Sequence, residues 1–131
     1  MNRNNFEDFN LDNEKLSSII KDGNAKILNQ YASELAQRFV TRRGREKELT
    51  TSQIRNIFDT IQRMTKYEEN KLQLLRPKLA YLAGRHGGRV KEFRKLIESS
   101  LSFVTDDNTF INFKNFLEAI VAYHKFYGGS E

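Results

Sequence analysis

The chain has 131 residues, no cysteine, and 22 Lys and Arg against 17 Asp and Glu, for a formal net charge of +5. That length favours one domain with a core of its own, and without cysteine neither a disulfide framework nor a zinc–thiolate site can form. No run resembles the apolar core of a signal peptide, and none approaches the roughly 18 residues of a bilayer span. The expectation is a cytoplasmic protein with no membrane partner.

Residues 1–12 are polar and asparagine-rich, and the first fourteen carry four acids against Arg3. They read as a flexible acidic N-terminal arm. A short helical pattern follows from Asn13, with Leu16, Ile19 and Ile20 on one side, and Asp22-Gly23-Asn24 stops it. The first long helix is predicted over 24–43, with Ile27, Leu28, Tyr31, Leu35 and Phe39 on its apolar face. Arg38, Arg42 and Arg43 in its last turn suit the negative end of the helix dipole. Residues 38–47 hold five cations, among them Arg45, against Glu46.

Thr50 and Gln53 have the spacing of a capping box and open a second long helix that runs to about residue 67. Ile54, Ile57, Phe58 and Ile61 form its buried stripe, with Arg55 and Asp59 in reach of an i,i+4 pair on its flank. Pro77, the one proline, either starts the third helix or kinks a longer one. Leu75, Leu79 and Leu82 recur at helical spacing, and His86 continues their stripe, which predicts a core histidine. At about 100° per residue, Lys78, Tyr81 and Arg85 form a second stripe a quarter-turn away, and on a continuous helix Arg76 points roughly opposite. From 76 to 95 there are seven Lys or Arg against Glu92 alone.

Gly87-Gly88 ends that helix. The fourth, over 88–103, turns Val90, Phe93, Leu96, Ile97 and Leu101 inward. Its N-terminal N–H groups beside bare glycines suit a phosphate, with Arg89 and Lys91 at hand. Residues 105–109 read as a turn. The last helix, over 110–127, puts Phe113, Phe116, Leu117, Ile120, His124 and Tyr127 on one face. His124 is then a hydrogen-bonded core residue, and Gly128-Gly129 ends the helix. The fold class is all-α: a single-domain bundle of five helices plus a short N-terminal helix over 13–131.

General acid–base chemistry needs titratable groups brought together, and the chain has only two histidines, His86 and His124. The carboxylates lack metal-ligand spacing, and there is no P-loop, nucleophile elbow or dinucleotide fingerprint. The chain reads as a non-enzyme that needs no metal and no cofactor. A helix-turn-helix at Gly87-Gly88 is disfavoured, because residues 90–99 hold no Asn or Gln to read bases. A cationic edge with an aromatic between the charges suits a polyanion with exposed bases. The same pattern is also that of a solvated helix face.

Three stretches carry a family resemblance: LRPKLAYLAGRH at 75–86, FLEAIVAYHKFYGG at 116–129 and TTSQIR at 50–55. Together they resemble the small subunit of the type III-A CRISPR interference complex, the Csm effector, over about residues 49–129. The resemblance implies a small all-helical protein without catalytic activity. It further implies several copies stacked along the complex, against backbone subunits that hold the guide RNA and beside the large subunit. Basic residues would contact the guide–target region without reading sequence, because base pairing does that work. On the matching motifs, Arg55, Lys78 and Arg85 become the RNA-binding residues. Arg89 and Lys91 are added from their position, and Arg42, Arg43 and Arg45 from charge alone. The expected partners are guide and target RNA, the backbone and large subunits, and copies of the chain itself. The alternative is a helical protein–protein interaction module with no RNA contact of its own, its basic face set against acidic surfaces.

Overall fold

The structure, a computed structural model, describes residues 9–42 and 47–131. Residues 1–8 of the expected arm lie outside the described residues, as do Arg43 and Arg45. The described residues form α1 (Asn13–Ile20), α2 (Ala25–Val40), α3 (Thr51–Gln62), α4 (Glu69–Gln73), α5 (Leu75–His86), α6 (Arg89–Leu101) and α7 (Asp107–Phe126). This is the expected all-helical bundle of five helices after a short first one, with the single turn of α4 added before α5. No described helix is long and apolar enough to cross a membrane.

Side-chain caps set most of the starts. The Asp12 and Asn24 carboxyl and amide oxygens accept from the Lys15 and Ile27 N–H groups, and the Thr50–Gln53 capping box is complete. The last helix begins three residues before its predicted start, because Asp106 and Thr109 form a second capping box inside the predicted turn. The Thr109 N–H holds the Asp106 carboxyl below its ordinary range, keeping the cap anionic. Helix α3 ends at Gln62 rather than near residue 67. Beyond it Met64 is buried, its carbonyl accepts from Lys114 Nζ, and the Tyr67 N–H donates to Asp107.

Helices α2 and α7 are the central pair, with the Tyr31 and Phe116 rings stacked at 6.2 Å. Around them one apolar cluster takes in Leu16 and Ile20 of α1, Ile54 and Ile61 of α3, Leu75 and Leu79 of α5, and Phe93 and Ile97 of α6. Each such side chain contributes about 1.5–3 kcal/mol by leaving water. Residues 9–12, the described part of the arm, pack on this bundle. Phe9 is buried against Phe39 at 6.1 Å, the Arg38 guanidinium lies 4.9 Å over its ring, and its carbonyl accepts from Lys95 Nζ at 2.6 Å.

The C-terminal end of α2 is tied to the N-terminal end of α6 by one carboxylate between two guanidiniums. Glu92 accepts from Arg38 Nε and Nη2, both at 2.8 Å, and from Arg89 Nη1 at 2.9 and 3.0 Å. Arg89 Nε donates to the Thr41 carbonyl. With only 4% of its surface exposed, Arg89 is a structural tie. Its assignment as an RNA contact is corrected on that ground, since reaching a phosphate would break the pair and strand Glu92. The phosphate site at the start of α6 fails with it: the Arg89, Val90 and Lys91 N–H groups already donate to the carbonyls of Lys47, Gly87 and Gly88.

His124 is the predicted core histidine, 1% exposed, with Nε2 2.6 Å from the Leu49 carbonyl oxygen. A carbonyl only accepts, so Nε2 carries the proton. Gly129 lies against this imidazole, and a Cβ there would overlap the ring.

Three substitutions test the stability of this packing. Glu92→Ala leaves two guanidiniums without their shared acid. It is expected to lower the unfolding free energy by about 3 kcal/mol, the low end for a broken buried pair, because Arg38 keeps part of its contact with water. Denaturant unfolding reads this. In the same assay Gly129→Ala is expected to lose about 1–3 kcal/mol through overpacking. Gly84→Ala, in α5 with open space where its Cβ would stand, is expected to gain about 0.5–1 kcal/mol.

Candidate nucleic-acid interface

Helix α5 sets the site. Leu74, in right-handed helical geometry, joins it to α4, and Pro77 is its third residue. A proline is tolerated in the first turn because that N–H has no partner within the helix. Both readings of Pro77 are thus partly met: a helix begins just before it, and the longer helical run is interrupted. Burial of Leu75, Leu79 and Ala83 fixes the roll of α5 about its axis. Lys78, Tyr81 and Arg85 then stay exposed on one edge, with the two cations about 10 Å apart along the axis. Lys78 Nζ donates to Thr60 Oγ1 on α3 at 3.1 Å, and Arg85 Nη1 lies 3.5 Å from the Tyr81 hydroxyl. Neither cation is in an ion pair with a described acid.

Together α3 and α5 form the walls of a groove with a hollow of about 300 Å³ toward each end. One hollow is lined by Thr60, Arg63, Lys71, Leu74 and Lys78. The other is lined by Lys47, Glu48, Gln53, Arg85 and His86. The first carries cations alone. The second is mixed, because Glu48 is held below its ordinary range by its own backbone N–H first, then by the Ser130 hydroxyl and the Arg42 charge. Lys71 and Arg63 were missed in the sequence. Lys71 had a signal, since it stands seven residues before Lys78 as Lys78 stands seven before Arg85. Arg63 had none, because only the packing of α3 on α5 brings it to the groove. His86 is exposed here rather than in the core, so its ring does not join that of the buried His124. Beyond Ala83 the leucine stripe runs out at the Gly87 turn.

The other candidate residues lie elsewhere. Arg76 points away from Lys78, as the spacing implied, and pairs with Glu98 of α6 at 3.5 Å. Arg55 is exposed and makes no ion pair with Asp59. It projects about 140–160° round α3 from Gln53 and Thr60, the residues that face α5. It lies instead near Glu131, whose carboxyl is held low by Lys125 first and by the Arg55 charge among lesser causes. Lys91 is exposed on α6, two turns before Glu98 and so on the flank that meets Arg76. Arg42 is exposed, with Nε 3.8 Å from Glu48. The structure therefore puts Lys78 and Arg85 on one edge, leaves Arg55 and Lys91 on other faces, and sets Arg42 against Glu48 at the second hollow.

Among the described residues no cluster of His, Asp and Glu has the makings of a metal site. No solved structure matches the chain with significance. The sequence matches the family described as Csm2 Type III-A over residues 22–130, a span that takes in α2 to α7 and the whole groove. It is 36% identical over 93 residues to a Streptococcus thermophilus protein named CRISPR system Cms protein Csm2, covering 63% of this chain and 76% of that one. The resemblance seen in three short stretches thus extends across nearly the whole bundle, and the chain belongs to the Csm2 family of type III-A CRISPR systems.

Proposed function

We propose that this non-catalytic CRISPR effector subunit holds the target-RNA backbone in the α3–α5 groove without reading sequence. Several copies lie along the guide–target RNA, against the backbone and large subunits of the effector. The observation that carries this reading is the pair Lys78 and Arg85. Both are exposed on one edge of α5, both flank the groove, and neither is neutralised by a described acid. Phosphate contacts of this kind position a strand and carry no sequence information, as suits a complex in which base pairing supplies the specificity. Arg63 extends the cationic wall, as does Lys71, which also pairs with Glu68 at 3.6 Å. Arg55 and Lys91 face other directions, Arg42 pairs with Glu48 beside the second hollow, and in this reading the three meet flanking RNA or neighbouring subunits.

A second reading has its own observation. Phe126 and Ile111 are exposed on α7, and apolar side chains left in water suit a protein partner. That reading makes the chain an interaction module with no RNA contact of its own. The two part on binding by the isolated chain. With about three to five phosphates contacted, affinity for single-stranded RNA is expected to fall roughly 20- to 100-fold between 50 and 200 mM salt. The Lys78→Ala/Arg85→Ala double variant is expected to bind more weakly, with a salt slope smaller by about 1.4. It should also retain less target RNA in the assembled effector, at unchanged helical circular dichroism. Normal retention by the double variant would sink the assignment.

A further inference from the structure

Four large apolar side chains are left exposed among the described residues: Leu74, Tyr81, Ile111 and Phe126. Two of them, Leu74 at 71% and Tyr81 at 64% exposure, stand on the same ridge as the groove cations. The order along that ridge is Lys71, Leu74, Lys78, Tyr81, Arg85, with alternate spacings of three and four residues. On helical geometry, cation and apolar group alternate at steps of about 5 Å. Tyr81 pairs with no other described aromatic ring. Its described hydrogen bond, at 3.5 Å, joins the hydroxyl to Arg85 Nη1 at the ring's edge, and most of the residue's surface meets solvent.

A ridge that only neutralised phosphates would need cations and nothing between them. Exposed apolar groups interleaved with the charges add what a backbone alone does not use, a surface for the flat face of a base. Every base has such a face, so stacking keeps the contact tolerant of sequence. A duplex hides those faces inside its own stack. The geometry points to Tyr81 as a base-stacking platform, with Leu74 as a second base contact, so that the free chain binds RNA with unpaired bases more tightly than a duplex of similar charge and, in the effector, engages target bases that are not paired with the guide. This rests on the reading of the groove as an RNA site and adds to it a preference among RNA forms.

The test measures fluorescence anisotropy of the full chain with three labelled probes. These are an oligouridine, an abasic ribose–phosphate strand of equal length, and the oligouridine annealed to oligoadenosine. Tyr81→Ala is expected to weaken oligouridine binding roughly 5- to 150-fold and to leave the abasic strand unchanged. Tyr81→Phe, which keeps the ring and loses the hydroxyl, should retain the parent affinity. Leu74→Ala should shift oligouridine in the same direction by less. The Lys78→Ala/Arg85→Ala variant should weaken all three probes. If that double variant weakens them while Tyr81→Ala binds oligouridine as the parent does, the stacking role is overturned and the groove reading stands. If neither weakens any probe, both fall. If Tyr81→Ala spares RNA and instead loosens the chain from the other effector subunits, the ridge is a protein contact and the inference is wrong.

Discussion

The rotation of α5 about its own axis is the constraint on which the rest of this protein hangs. Leu75, Leu79 and Ala83 must face the bundle, and each leucine contributes about 1.5–3 kcal/mol by doing so. Lys78 and Arg85 stand a quarter-turn or more from that stripe, so burial of the leucines alone aims them at the edge beside α3. Rolling the helix by one residue, about 100°, would carry the cations off the groove and expose the leucines. The energy that orients the charged edge is thus hydrophobic, although the edge itself is electrostatic.

Among the described residues, two sets of cations differ in what surrounds them. Arg38 and Arg89 share Glu92 in a part-buried tie between α2 and α6, and Arg76 and Arg94 share Glu98 on α6. The Arg89–Glu92 pair is buried, where an unpaired charge is costly, whereas Arg94 pairs with Glu98 along α6 in partial contact with solvent. Lys78 and Arg85 rest on hydroxyls, those of Thr60 and Tyr81. A hydroxyl orients a cation without cancelling its charge, so the field of the pair remains available to an anion. Net charge alone does not distinguish the two kinds, and the proposed RNA contact draws on the second.

The C-terminal Gly-Gly shows how a family-like motif can be structural. The buried ring of His124 uses its Nε2 proton on the Leu49 carbonyl and leaves no room for a side chain at Gly129. Close by, the Thr51 N–H at the start of α3 donates to the Ser130 carbonyl. The segment after α7 therefore helps to place α3, which forms one wall of the groove. The C-terminal residues of the family-like motif thus act here through packing and backbone hydrogen bonds.

By itself the sequence determined the helices and their inward faces, because apolar spacing and capping residues act locally: the Thr50–Gln53 box, the leucines of α5 and the isoleucines of α3 were all legible. The seven-residue spacing of Lys78 and Arg85 likewise put them on one edge before any packing was known. Tertiary structure alone decided where α3 ends against long-range partners, which wall Arg63 joins, and which cations are consumed. Arg89 looked like Lys91 in the sequence, yet one is buried on Glu92 and the other exposed. Those outcomes depend on which acid or carbonyl arrives from a distant part of the chain, and charge, unlike helical periodicity, carries no local mark of its partner.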